Sequence, residues 1–296
     1  MGLGDFFKNI FGKKTCSFCG NECGMMHRTK IKGDDYICST CDDGCSFYIR
    51  KSRLTKAEMD EHLAYMKRCD RIYKEVLTQD EARTLRLPSA TNNQGFEFFD
   101  NFGMFRIMDS SRDGKDRYPF EVFRYDQVAC YEPYIEESEP SEPGKPKEFK
   151  EGGVKITLVG TKDDLSTLRK GAYAHPYIME PIKVCFAKSK WDQENYMKYV
   201  ENVIHHFDYI FGVHDNDHAL FSIGMNKKEK RDLMAGVAFA KTAMSAIKVA
   251  KEGEESLTDE KKAEIMQNMN AIDDAQTNGL AEYSRRADAA EAKINQ

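Results

Sequence analysis

The sequence predicts an α+β chain: a small cysteine-rich module, then an antiparallel, partly open β barrel capped by a helix, then a helical C-terminal segment. Three observations carry this. Two Cys-x-x-Cys pairs, Cys16–Cys19 and Cys38–Cys41, stand near the start. Between Phe96 and Val213, short aromatic and β-branched runs lead into one amphipathic stretch from Trp191 to Phe211. After His218 the chain becomes helical and rich in small residues. The expected divisions are 1–13, 14–54, 55–87, 96–213 and 219–296.

In the first division, Leu3, Phe6, Phe7, Ile10 and Phe11 repeat at helical spacing and form one apolar face. Asp5 near the start and Lys13 and Lys14 near the end suit the helix dipole. A helix this short is marginal alone, so it must dock. Two surfaces fit: the protein's own core or a sister subunit, and an anionic membrane surface that would attract the lysines.

In the second division, Cys16-Ser17-Phe18-Cys19 and Cys38-Ser39-Thr40-Cys41 are separated by 18 residues. Two such turns at this spacing read as a zinc site. Each turn presents two thiolates to one side of an ion while its backbone N–H groups bond to the sulfurs. Gly20 follows Cys19, where a knuckle favours positive φ. Four cysteines close the coordination shell and leave no position for water, so the metal would be structural rather than catalytic. Cys23 and Cys45 each lie four residues after a knuckle and are alternative ligands, or small hydrophobes beside the metal. Between the knuckles, His27 to Ile37 reads as strand, turn, strand, with the turn at Lys32 to Asp35. Cys69, Cys130 and Cys185 stand alone and read as core residues.

The third division opens on Thr55-Lys56-Ala57-Glu58, a capping-box pattern, and runs as a helix through Leu63, Met66, Cys69, Ile72, Val76 and Leu77. Pro88 to Gly95 breaks it. Strands are then expected at Phe96–Phe99, Phe102–Met108, Phe120–Tyr125, Val128–Glu136, Val154–Val159 and Ile182–Ala187. Glu136 to Gly153, charged and rich in Pro and Gly, reads as a long loop. Tyr196, Tyr199, Val200, Val203, Ile204, Phe207, Ile210 and Phe211 form the stripe of the closing helix. Leu233 to Lys251 is a small-residue helix, and a second helical stretch begins near Thr258. His214 and His218 have a metal-like spacing but read as a solvated connector; His205 and His206, adjacent on a helix, point in different directions.

Net charge is −5 with a pI near 5.9, which disfavours a general nucleic-acid binder, although Arg28, Lys30, Lys32, Arg50, Lys51 and Arg53 cluster in the module. With 41% hydrophobic and 31% charged residues and a mean hydropathy of −0.65, a core is available beneath a charged surface. No run approaches the ~18 apolar residues of a membrane span. Met1 to Phe11 lacks the basic and long apolar regions of an export signal, so the expected compartment is a reducing cytoplasm, where paired thiols serve metals. Phosphate-loop, dinucleotide, nucleophile-elbow and zinc-protease motifs are absent from the sequence, so no enzyme is expected.

The phenylalanine-rich start, Cys16-Ser17-Phe18-Cys19-Gly20, Lys30 to Asp34 and Tyr36 to Cys41 together resemble a bacterial zinc-ribbon family of unknown function. That resemblance implies zinc on Cys16, Cys19, Cys38 and Cys41; Cys23 and Cys45 depart from its simplest pattern. Phe120 to Glu132 is similar to the strand, acidic turn and strand of bacterial pleckstrin-homology-like domains, and the helix from Trp191 fits that fold. Asp274 to Arg286 resembles the short C-terminal helical hairpins (SHOCT) attached to such proteins, which implies a role in assembly.

The function expected from these features is that of a cytoplasmic, zinc-binding adaptor or scaffold acting through a protein partner or self-association. The alternatives are a peripheral protein at the inner membrane surface, held by the N-terminal helix and the barrel, and nucleic-acid binding through the ribbon.

Overall fold

The structure, a computed structural model, describes residues 12–79, 82–88, 94–138, 147–160, 175, 177–188, 193–211 and 280–294, with side chains from Tyr196 onward in the 193–211 helix. The apolar face of Leu3 to Phe11, the His214–His218 pair, the Leu233–Lys251 stretch and the segment from Thr258 to Gly279 lie outside these residues.

The N-terminal module is two small antiparallel hairpins. Strands β1 (Lys14–Thr15) and β2 (Glu22–Cys23) pair Lys14 with Cys23, and β3 (Arg28–Lys30) and β4 (Tyr36–Cys38) pair Arg28 with Cys38. The β3–β4 turn passes through Gly33 at φ 95°, a left-handed conformation glycine adopts freely. A single turn, α1 (Ser39–Asp42), follows β4. Ile31, Ile37, Ile49 and Leu54 are buried and belong to the same apolar cluster as the sheets that follow, so the module shares the main core.

Helix α2 (Lys56–Ile72) starts on the expected capping box: Glu58 N–H donates to Thr55 Oγ1, and Thr55 N–H donates to Glu58 Oε2. It buries Met59, His62, Met66, Cys69 and Ile72, and a π-helical turn (Tyr73–Leu77) continues it. The helix expected over 55–87 therefore ends at Leu77. Leu85–Pro88 is instead a strand, β5, whose backbone groups are satisfied by pairing Leu87 with Phe96. Pro88 sits on an edge strand, where a missing N–H costs no ladder bond.

Two antiparallel meanders form the body. In the first, β5, β6 (Gln94–Phe99), β7 (Met104–Asp109) and β8 (Phe123–Arg124) are neighbours in chain order. In the second, β9 (Val128–Ser138), β10 (Glu148–Leu158) and β11 (Ile182–Ala187) run in the order β11-β10-β9. The β9–β10 hairpin extends well into the stretch expected to be a loop: Ile135 pairs with Gly152, and Ser138 with Glu148. The Pro/Gly composition hid this, because its ladder tolerates two bulges and a glycine pair. Gly153 is required there, since a Cβ would lie 2.0 Å from the Val184 carbonyl oxygen.

Among the described residues no backbone ladder closes the two sheets into a barrel. Helix α3 (Gln193–Phe211) fills the gap. Its Phe207 ring lies 5.3 Å from Phe98 and 5.5 Å from Phe105 in one sheet and 4.9 Å from Tyr131 in the other. Beside it, Cys185 N–H of β11 donates to Gln94 Oε1 at the start of β6, at 2.8 Å.

Strands β6 and β7 are buried on both faces. Phe96, Phe98 and Phe105 point to α3, while Glu97 and Arg106 meet beneath Tyr73, with Arg106 Nε 2.5 Å from Glu97 Oε2 and its guanidinium bidentate to Asp113. A final helix, α4 (280–293), returns to this outer face and buries Ala287, Ala290 and Ile294 against Phe99, Met104 and the end of α2. Arg124 of β8 clamps it through Asp288 at 2.8 Å and Glu291 at 3.1 Å. No helix among the described residues is long and apolar enough to cross a membrane.

Candidate metal centre

The Sγ atoms of Cys16, Cys19, Cys38 and Cys41 all lie within 4.8 Å of one another. The fold brings them together by stitching the tips of the two hairpins. Ser17 N–H donates to the Tyr36 carbonyl at 2.9 Å, and Ser17 Oγ donates to Asp35 Oδ1 at 2.7 Å. In the first knuckle, Gly20 N–H donates to the Cys16 carbonyl at 3.0 Å, and Gly20 has φ 75°. Nothing lies within 4 Å of a Cβ built there, so the backbone angle, not crowding, calls for glycine. In the second, Cys38 caps α1 and its sulfur accepts from Cys41 N–H at 3.5 Å.

The donor set fits a thiophilic cation. Cys19 Sγ and Cys38 Sγ are 3.7 Å apart, close to the edge of roughly 3.8 Å in a tetrahedron of metal–sulfur bonds of about 2.3 Å. All four thiols are free of disulfides. Burial opposes ionisation of Cys16, but N–H groups of Cys38, Cys19 and Phe18 outweigh it and hold the thiol down to about 6. Burial, together with the crowding of neighbouring thiols, pushes Cys38 and Cys41 up. The cluster thus ionises readily once, and further thiolates call for a cation beside them. Cys16 and Cys38 are buried while Cys19 is exposed, which leaves the centre open to solvent along one edge.

Cys23 and Cys45 stand outside the group of four. Cys23 is buried against Cys16 and Cys38, with its Sγ 3.2 Å from the Lys14 carbonyl oxygen. Cys45 turns away into the main core, and burial pushes its thiol up to about 12. His27 is exposed and not part of the cluster. Of the basic residues, Arg28 stacks on Tyr36 and bonds to the Gly12 carbonyl, Lys30 pairs with Asp34, Arg50 with Glu180 and Lys51 with Asp42. Four of the six cations are therefore already engaged within the protein. His206 bonds to Asp100 at 3.1 Å, at the foot of α4. Cys69 and Cys185 are buried in the core as expected, and Cys130 is half-buried.

One polar group was not legible in the sequence. Ser46, His62, Glu121 and His175, from four separate segments, meet beneath the module. Nothing in their spacing marks them, because the fold alone brings them together.

A family model described as Domain of unknown function (DUF4428) matches residues 15–62. The match begins one residue before Cys16 and ends on His62. Comparison with curated proteins and with solved structures gave no match.

Proposed function

We propose that Cys16, Cys19, Cys38 and Cys41 hold one structural zinc ion, and that the chain is a non-enzymatic adaptor or scaffold whose zinc ribbon and sheet domain present binding surfaces. The observation that carries this reading is the convergence of four sulfurs within 4.8 Å. An all-thiolate tetrahedron selects zinc or iron among common ions, and zinc supplies a redox-inert crosslink between the two hairpins. Because the four protein donors fill the shell, the ion stabilises the fold and offers no open coordination position.

The layout of four strands, three strands and a closing helix supports a pleckstrin-homology-like reading of the middle of the chain. Met26 and Phe47 support a protein-binding role: they are 87% and 71% exposed, a few residues after Cys23 and Cys45.

Metal analysis of the purified full chain tests the centre: one zinc per chain is expected, and iron, two zincs or no metal overturns it. Light scattering across a concentration series tests self-association, for which mass above that of the monomer is expected. A constant monomer mass removes that arm and leaves a heterologous protein as the partner.

A further inference from the structure

The underside of the cysteine module rests on a buried polar junction. Ser46, 1% exposed, lies just after the second knuckle; its backbone N–H donates to His62 Nε2 at 3.0 Å and its Oγ donates to Glu121 Oε2 at 2.8 Å. The other carboxylate oxygen, Glu121 Oε1, faces His175 Nε2 at 3.6 Å. His62 and His175 are buried, and the Glu121 side chain is 10% exposed. Glu121 Oε1 and His62 Nδ1 have no hydrogen-bond partner among the described residues.

His175 and the residues from Tyr177 to Glu180 tie this junction to α2 and to the module. Tyr177 is the one described non-glycine residue at positive φ, 67°, and this turn sets its ring edge-on to His62 and its hydroxyl against Glu61. Glu180 then pairs with Arg50 of the module at 2.5 Å. A bulky residue held in the left-handed region is uncommon and needs its surroundings to hold it there. Here the junction beneath supplies that support.

A proton count decides how firmly the junction holds. With its proton, the Glu121 carboxyl is neutral in its buried place; losing that proton to water leaves a buried carboxylate held by Ser46 and, at longer range, Arg112. The groups around Glu121 are Ser46 and Tyr48 from the module and His62, Tyr65 and Cys69 from α2, with Arg112 acting on Glu121 at longer range and Lys51 on His62. Burial pushes Glu121 up to about 7, against the smaller pulls of Ser46 and Arg112.

We propose that Ser46, Glu121 and His175, with Tyr177 to Glu180 alongside, form a proton-dependent latch that holds the cysteine module against the sheets and releases it as Glu121 loses its proton. This does not rest on the zinc reading, and the sign separates the two. Thiolate sites lose metal as pH falls, whereas the latch opens as pH rises.

Hydrogen exchange by mass spectrometry on the metal-loaded full chain tests the latch from pH 6 to 8.5, with protection corrected for intrinsic exchange. Protection of residues 43–50 and 56–66 is expected to fall about tenfold from pH 6 to the midpoint near 7, the slope of a one-proton opening, and to level off above it. Glu121→Gln should abolish the slope. Ser46→Ala, which removes a donor that favours the carboxylate, should move the midpoint to higher pH and so serves as an independent variant if Glu121→Gln does not fold. Flat protection in the wild-type chain, or a midpoint unmoved by Ser46→Ala, overturns the proposal.

Discussion

The backbone N–H of Ser46 donates to Nε2 of His62 at 3.0 Å, which ties the end of the cysteine module to the second turn of α2. The bond fixes the His62 tautomer, because an accepting Nε2 places the ring proton on Nδ1. It also gives a physical reason for the span of the family match, which closes on His62. The module and the first half of α2 form one hydrogen-bonded unit, and that unit shares its apolar core with the sheets.

Removing the acceptor should be costly. His62→Ala leaves a buried N–H unpaired and opens a cavity beside Met59, so a loss of about 2–4 kcal/mol is expected. His62→Gln can still accept from Ser46 and should lose under about 1.5 kcal/mol. Urea denaturation monitored by circular dichroism checks the difference. Equal losses for the two variants would mean that the bond contributes nothing beyond volume.

The same histidine should make stability depend on pH. Burial pulls His62 down to about 4 from its ordinary 6.5, with Lys51 adding to the effect. The unfolded chain therefore binds more protons between pH 6.5 and 4. The stability due to neutral His62 is complete above pH 6.5 and is lost as pH falls towards 4, by roughly 3 kcal/mol. Glu121 acts in the opposite sense over an overlapping window, since its raised pKa favours the folded state as pH falls from about 7. The His62 contribution is thus read as the gap between wild type and His62→Gln, which should narrow as the solution is acidified. A gap constant from pH 7 to pH 4.5 would contradict the burial argument.

What the sequence shows and what it hides divide along physical lines. The capping box at Thr55, the positive φ of Gly20, the strand from Ile182 to Ala187 and the stripe on α3 are local, and each follows from residues within a few positions of one another. The cysteine tetrad was legible because paired thiols have few uses in a chain without disulfides. β5 was hidden because Leu85–Pro88 is strand only by virtue of its ladder with β6. Glu97 and Arg106 are buried because α2 and α4 cover the far side of that sheet, which no local pattern announces. Ser46, His62, Glu121 and His175 carry no spacing at all.

The docking of α4 rests on a glycine. Gly103 turns at φ 60°, and a Cβ there would lie 2.1 Å from the Tyr283 carbonyl oxygen and 2.8 Å from its carbon, both backbone atoms that cannot rotate away. Gly103→Val should therefore displace α4 as well as strain the turn, for a combined loss of about 2–4 kcal/mol. Limited proteolysis checks this: cleavage within 280–294 should accelerate in the variant while the sheets stay protected. Unchanged cleavage would show that α4 is held by Arg124 and the Ala287–Ala290 face alone.

The ligand set is tested by substituting cysteines one at a time. Cys19 is exposed and has no packing role, so Cys19→Ser removes a donor with little other disturbance, and the chain should lose its metal to a mild chelator. Cys23→Ala and Cys45→Ala remove sulfurs that pack rather than coordinate, so each should keep the wild-type metal content. Their cost should appear instead as stability, about 1 kcal/mol for the small cavity each leaves. Because Ile31, Ile37 and Leu54 tie the module to the main core, stripping the metal should also lower the unfolding midpoint of the sheets. Metal content per chain, measured after chelator treatment and gel filtration, decides the assignment. A drop in Cys45→Ala or Cys23→Ala matching that of Cys19→Ser would bring those residues back into the coordination shell.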